Sequence, residues 1–440
     1  MSARKDSLAN RLRRSSSTNA ENALPAAIRG EEQLPLAEPN SVSPREHDEL
    51  TVFIVAGEHS GDALGAGLMA ELARRRKGQV RFLGVGGEEM EAQGLTSLFP
   101  LGDIAVMGPG AILRALPRLT NRVYRTVSAG LAAKPDVIVI IDAPEFTHRV
   151  ARRLHRSLPH TPIINYVCPS VWAWRQGRAK VMTRFIDHVL ALLPFEPAAL
   201  ERLEGPPATY VGHPLAERRN WIKAIDTKAW AQKLNLDPKK TPLVVLPGSR
   251  RSEVEPLMPV FTETLTSLRD MGHAFEILMP VVPHLRERVG ELVQSWPEPV
   301  HIIEDDEAKF AAFRLARAAL AASGTVTLQL GLAATPMVVA YRVEGLAAHL
   351  RRLIKVSSVV LANLIIDENA FPEFLQEDCT AENLAGAMDL ILKETPERAA
   401  QLAALKRIDE RMQFDAASPS ALAADVVMRY AASSEAKPHL

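Results

Sequence analysis

Leu243-Val244-Val245-Leu246-Pro247-Gly248-Ser249-Arg250 is the stretch on which the fold turns. Its apolar run fits a buried strand, and the loop that follows puts a glycine, a hydroxyl and a guanidinium at that strand's carboxyl end. In an open parallel sheet, that edge is where ligands bind. Gly248 lets a ligand approach the backbone, Ser249 can donate a hydrogen bond, and Arg250 can grip a phosphate with two parallel bonds. A second small-residue loop, Ala322-Ser323-Gly324-Thr325, follows another apolar run and opens a helix whose free N–H groups attract an anion. Two such loops in one half of the chain fit a diphosphate site. A pair of ordinary strand-to-helix turns fits the same residues.

Outward from this point, short apolar runs alternate with helical stretches. In the first half the runs are Thr51–Ala56, Val80–Val85, Val137–Ile141, Ile163–Val167 and Val189–Leu193, with a helix from Ala63 to Arg76. The pattern restarts after a helix near Thr227–Leu234, with Leu243–Leu246, Phe275–Met279, His301–Ile303, Ala318–Ala321 and Met337–Ala340. This alternation predicts an α/β fold with two Rossmann-like, doubly wound domains facing a cleft. The expected organisation is a disordered extension over 1–49, a first domain over 50–217, a second over 218–405 and a helical segment over 406–440. The helix near Pro419–Tyr430 is expected to cross back onto the first domain. Two facing domains of this kind are the architecture of GT-B glycosyltransferases and equally of some epimerases, so fold alone leaves the function open.

Composition narrows the partners. The 440 residues carry 52 Lys+Arg and 52 Asp+Glu, so no global field favours nucleic acid or a membrane surface. The two cysteines, Cys168 and Cys379, have no metal or redox spacing and fit a reducing cytoplasm. Met1–Ala20 carries five cations and one acid without an apolar core, which does not read as a secretory signal; an organellar transit peptide also fits its Arg and Ser content. No run reads as a transmembrane helix, and His and acidic residues do not cluster at metal-ligand spacing.

Several residues can carry chemistry. Asp142 ends the run Val137–Ile141, where a carboxylate can act as general base; a helix N-cap is the other reading. Glu58, Ser60 and Asp62 lie in the first strand-to-helix loop, with Asp62 placed to cap the helix that follows. Gly84-Val85-Gly86-Gly87 is not a full dinucleotide fingerprint, which weakens a dehydrogenase reading. Pro169-Ser170-Val171-Trp172-Ala173-Trp174-Arg175 holds two of the five tryptophans, either as a rigid wall against a sugar or acyl chain or as core. His213 reads as a structural histidine near the domain boundary. From Met107 to Lys134, Arg114, Arg118, Arg122 and Arg125 flank an apolar stripe with no acid among them. An interfacial membrane helix and a core face with solvated arginines both fit this pattern, and Pro117 is expected to start or kink the helix. A second candidate for membrane contact is Leu346–Lys355.

Together these motifs resemble the lipid-A-disaccharide synthase family, glycosyltransferase family 19 of Gram-negative bacteria. The matching segments are Val55–Asp62, Ala105–Gly108, Ile141–Pro144, Pro169–Arg175, Leu193-Pro194-Phe195-Glu196, Gly212-His213-Pro214, Leu246–Arg250, Ser323–Thr325, Pro336–Arg342, Asn363-Leu364 and Pro372–Gln376. The resemblance implies an inverting transfer without cofactor or metal, from UDP-2,3-diacylglucosamine to 2,3-diacylglucosamine 1-phosphate. Carried over residue by residue, Asp142 is the implied base and Arg250 the implied cation on the leaving diphosphate. Gly248, Ser249, Ser323, Gly324, Thr325 and Gln329 would complete the UDP pocket. Glu58, Ser60, Asp62, Ser170, Trp172 and Arg175 would line the acceptor side, and Arg114, Arg118 and Arg122 would meet membrane phospholipid. The implied setting is the cytoplasmic face of the inner membrane, with no nucleic-acid partner and a homodimer left open.

The chain departs from the family pattern at His59, Ala111, Gln329 and Ala362. Gln329 stands where a glutamate is usual, and it keeps one acceptor oxygen while losing the charge. The alternatives to the implied reaction are a weak or inactive homologue that binds UDP-sugar lipid, and another UDP-sugar enzyme such as a 2-epimerase.

Overall fold

Twelve strands build two parallel sheets in the computed structural model, which describes residues 49–104, 109–294, 296, 298–342, 358–413 and 418–435. The described side chains exclude those of 109–114 and 433–435. In the first sheet are β1 (Leu50–Ala56), β2 (Val80–Val85), β3 (Val137–Ile141), β4 (Ile163–Tyr166), β5 (His188–Ala191) and β6 (Ala208–Tyr210). Their order is β2-β1-β3-β4-β5-β6. The second sheet contains β7 (Thr241–Leu246), β8 (Phe275–Pro280), β9 (Val300–Ile303), β10 (Ala318–Ala322), β11 (Met337–Tyr341) and β12 (Glu373–Leu375), ordered β12-β11-β10-β7-β8-β9. The apolar runs become strands because helices cover both faces, so no face asks for polar residues. Two strands, β6 and β12, lie at sheet edges and had no counterpart in the sequence reading.

Each sheet carries a core on both faces. On one face of the first sheet, Val52, Ile54 and Val139 pack with Leu68 and Leu72 of α1 (His59–Arg75) and with Ala424 and Val427 of the C-terminal helix Pro419–Glu435. That last helix thus lies on α1, and Arg75 of α1 donates to the Ala421 carbonyl at 2.9 Å. On the other face, Phe53, Ile138 and Ile140 pack with α3 (Pro109–Ala133) and α4 (Pro144–Ser157). Between α1 and α3 in the chain, α2 (Glu88–Ala92) is a single short turn.

The stripe on α3 is a core face. Val123 is buried in the first-sheet core, and Leu119 and Val127 pack against it. Arg122 is turned inward as well: it pairs with Asp103 at 2.7 Å, and its guanidinium lies 4.9 Å from the Phe99 ring centre. Of the two readings of the stripe, core face or interfacial helix, its described part follows the core face, and the expectation that Arg122 meets phospholipid is corrected. Arg118 is exposed, as are Leu116 and Tyr124. The helix starts at Pro109 and carries Pro117 inside it. The Arg114 side chain, the Ala111 side chain and the Leu346–Lys355 candidate lie outside the described residues. Among the described residues, no helix is long and apolar enough to cross a membrane.

Candidate active site

At the carboxyl edge of the second sheet, β7 runs into the turn Pro247–Arg250 and then the helix Arg251–Asp270. Gly248 has φ +122, and a Cβ there would meet the Glu253 Cβ at 2.6 Å. Only glycine fits, on both counts. Glu253 stands three residues into the helix and reaches back across the turn. One oxygen accepts from the Ser249 N–H at 3.0 Å and the other from the Arg250 guanidinium at 2.8 Å. Its buried carboxylate therefore shapes the loop and aims Arg250, a role the sequence reading missed. The signal was the acidic residue three positions after a helix N-cap.

The second loop stands beside the first because β10 pairs with β7. Ser323 donates its N–H to the Ala340 carbonyl and its hydroxyl to the Val359 carbonyl, both at 3.1 Å. The Ser323 hydroxyl thus braces the neighbouring chain, while Gly324 and Thr325 are exposed. A cavity of about 460 Å³ opens here, lined by Gly248, Ser249, Arg250, Ser323, Gly324, Thr325 and Gln329 together with Pro280, Val282, Ile303 and Lys309. That volume suits a nucleotide-sized ligand. Every residue expected at the UDP pocket lines it. Lys309 adds a cation that no local sequence pattern marked; it pairs with Asp306 at 2.5 Å.

The first sheet contributes carboxylates. Asp142 follows β3 with φ +55, and Ala143 has φ +40, both in the left-handed region that non-glycine residues seldom adopt. The Asp142 carboxylate accepts from the Ala143 N–H at 2.8 Å and from the Ser60 hydroxyl at 3.2 Å. The N-cap of α4 is Ala143, so Asp142 does not cap that helix. Gly57 permits the close approach of the two loops, since a Cβ there would meet the Ala143 Cβ at 2.2 Å. Glu58 lies alongside, and its carboxyl is pushed above the ordinary range, chiefly by burial and then by the Asp142 charge. The Arg250 guanidinium opposes that rise. Glu58, Asp142 and Arg250 therefore share one electrostatic neighbourhood, although they come from different sheets.

Two expected acceptor residues turn out to be internal supports. Asp62 is buried, and its oxygens accept from the Gly87 N–H at 2.7 Å, the Glu89 N–H at 3.0 Å and the Met90 N–H at 3.1 Å. It caps α2 rather than its own helix, and its acceptor capacity goes to backbone groups. Trp172 is half-buried, its indole N–H donates to Glu196 at 3.2 Å, and its ring meets Phe195 edge-on at 5.1 Å. The exposed members of that loop are Ser170, Trp174 and Arg175, the last with its guanidinium 4.4 Å above the Trp174 ring. His213 accepts from the Leu215 N–H at 3.1 Å, and burial holds its ring at about 4, neutral at physiological pH. Among the described residues, no group of three or more His, Cys, Asp or Glu is arranged to hold a metal ion.

Two parallel sheets, with carboxylates on one carboxyl edge and a Gly-Ser-Arg loop on the other, define a GT-B type protein. A UDP-GlcNAc 2-epimerase from Neisseria meningitidis has this fold, with a TM-score of 0.55 over 86% of this chain and 99% of its own. Acinetobacter baumannii MurG gives 0.52 over 86% and 99%. At 12% and 13% identity, these likenesses speak to the fold alone. The sequence relationship is narrower. The family model described as lipid-A-disaccharide synthetase matches residues 52–427. A lipid-A-disaccharide synthase of Rhodopseudomonas palustris (strain BisB18) is 50% identical over 383 residues, which cover 87% of this chain and 96% of that protein. The chain belongs to the lipid-A-disaccharide synthetase family.

Proposed function

We propose that the protein transfers 2,3-diacylglucosamine from its UDP derivative to the 6-hydroxyl of 2,3-diacylglucosamine 1-phosphate, giving the β-1,6-linked disaccharide 1-phosphate and UDP. Family membership supports formation of the lipid A disaccharide. The observation that carries the residue roles is the convergence of Asp142, Glu58 and Arg250 between the two sheets. In this reading Asp142 takes the proton of the attacking 6-hydroxyl while the new bond forms at the anomeric carbon. The bond from that carbon to the diphosphate oxygen breaks with inversion, and its electron pair leaves on UDP. Arg250 and Lys309 face the charge that develops there, where fixed cations stabilise a leaving group most. Ser60 and the Ala143 N–H hold the base at both oxygens, so that its geometry is set before substrate arrives.

The UDP-binding role falls to Gly248, Ser249, Arg250, Ser323, Gly324, Thr325 and Gln329, with Ser323 acting through its position rather than its hydroxyl. Glu58, Ser60, Ser170 and Arg175 form the acceptor side. Peripheral membrane contact is assigned to the exposed Leu116, Arg118 and Tyr124 of α3, with the Arg153 guanidinium of α4 lying 5.4 Å from the Tyr124 ring centre. The setting that follows is the cytoplasmic face of the inner membrane, where both acylated substrates would be held.

A comparison of acylated with deacylated sugars tests this reading. The family reaction requires product only from the acylated pair, with UDP release depending on the acceptor. UDP release or sugar isomerisation with deacylated UDP-GlcNAc alone would point to a different UDP-sugar enzyme.

A further inference from the structure

The loop between β4 and the short turn Ser170–Trp172 is fixed more firmly than a surface connection requires. It is entered through Val167, a β-branched residue at φ +77. Such a conformation is costly for a β-branched residue and persists only where the surroundings impose it. Here they do: the Asn165 amide donates to the Val167 carbonyl at 2.8 Å, and Asn165 is itself buried against His148. The loop leaves through Arg175, also left-handed at φ +52.

Its centre is pinned by a buried carboxylate. Glu196 is 3% exposed and accepts three N–H groups: Leu192 and Leu193 at 3.0 Å each, and the Trp172 indole at 3.2 Å. Burial pushes its carboxyl up to about 7, against the pull of those donors. Cys168 and Tyr210 are the titratable groups that feel its charge. An apolar side chain here would leave those three N–H groups without an acceptor; the carboxylate satisfies them and sets their direction. Trp172 packs against the core of the first sheet and also against that of the second, where Leu193 is buried. The pinned loop therefore sits at the junction of the two sheets, while Ser170, Trp174 and Arg175 project from it.

We propose that Glu196 is a positioning residue: through Trp172 it fixes the Ser170–Arg175 loop against both sheets, so that the loop meets the acceptor sugar in one orientation. This rests on the glycosyl-transfer reading above. It assigns to Glu196 and Trp172 a control over acceptor binding that leaves the UDP site alone.

Glu196→Gln and Trp172→Phe test it by two readouts. Gln turns an amide N–H₂ toward N–H donors, and Phe keeps the edge contact with Phe195 while removing the indole donor. Amide hydrogen exchange across 168–176 should quicken about tenfold or more, as expected for loss of a hydrogen bond to a charged group. The acceptor KM should rise by a similar factor, about tenfold, with the UDP dissociation constant within about twofold of wild type. Should Glu196→Gln fail to fold, Trp172→Phe carries both expectations. Unchanged exchange in the folded variants would overturn the proposal, because Glu196 would not be holding the loop. Faster exchange with an unchanged acceptor KM would also overturn it, while leaving the reaction in place. Wild-type protein that makes no disaccharide would remove the reaction and the positioning role together.

Discussion

At the first sheet's carboxyl edge, left-handed backbone falls on Asp142, Ala143 and Val167, whereas the corresponding turn of the second sheet falls on Gly248. The difference fits the role proposed for each edge. A diphosphate needs close access to backbone and a cation, and glycine provides that access without strain. A general base needs one fixed direction, and a non-glycine residue held in a costly conformation by its neighbours provides that. Asp142 is held by Ser60 and Ala143, and Val167 by Asn165. The turns after β3 and β4 are thus held by strain and buried polar bonds, and the turn after β7 is open through a glycine.

The sharpest way to break this contrast is Asp142→Asn. It should lower kcat by about 10²–10⁴-fold, the range of a positioned base, with UDP binding unchanged. Titration of the variant with UDP separates the two edges, and a parallel loss of UDP affinity would erase the division of labour. On the second edge, Arg250→Ala should weaken UDP binding by about 10–100-fold, as loss of charge-assisted bonds predicts. Gly248→Ala should do the same through the loop itself, since the added methyl meets Glu253. Calorimetric UDP constants near wild type would contradict both.

The first-sheet half answers to pH in two opposite directions. His148 and His188, buried beside the first sheet, are held at about 4 by loss of solvation. Their folded values lie below the unfolded value of about 6.5, so the unfolded chain binds more protons between those limits. Stability from these rings is complete above about pH 6.5 and is lost as pH falls toward 4, on the order of 1–3 kcal/mol per ring. Glu196 acts with the opposite sign. Its raised value means that the folded state binds the extra proton, so stability falls as pH rises from about 4.5 to about 7. Denaturation midpoints between pH 4 and 8 should show His148→Gln flattening the acid loss and Glu196→Gln removing the decline toward neutrality. The smallest effect expected is from Gln329→Glu, which should tighten UDP binding by about threefold to tenfold if the residue meets a donor on the nucleotide. A weaker constant would place Gln329 off the ligand.

The same contrast explains what the sequence revealed. Runs such as Val137–Ile141 and Leu243–Leu246 read directly as strands because burial on both faces leaves them uniformly apolar. The edge strands Ala208–Tyr210 and Glu373–Leu375 are three residues long and half-buried, so no periodicity marks them. The second-sheet cavity was readable because the residues that line it, Gly248, Ser249, Arg250 and Ser323–Thr325, stand at adjacent positions in two short loops. Asp62, Trp172 and Glu196 act through partners distant in sequence: Asp62 through Gly87, Glu89 and Met90, and Trp172 through Glu196. Local pattern gave Asp62 its own helix to cap, and only the tertiary fold turns it to another. The α3 stripe stayed open between two readings for a related reason: amphipathicity tells which residues share a face and leaves open whether core or lipid covers it.

The most direct test of the account is disaccharide formation, followed by mass spectrometry, from UDP-2,3-diacylglucosamine and 2,3-diacylglucosamine 1-phosphate in detergent. Wild-type protein and Asp142→Asn should be run side by side at matched UDP affinity. The account predicts acceptor-dependent disaccharide and UDP from wild type, and almost none from the variant. Disaccharide formed at comparable rates by both would contradict Asp142 as the base, and no disaccharide from wild type would contradict the reaction itself.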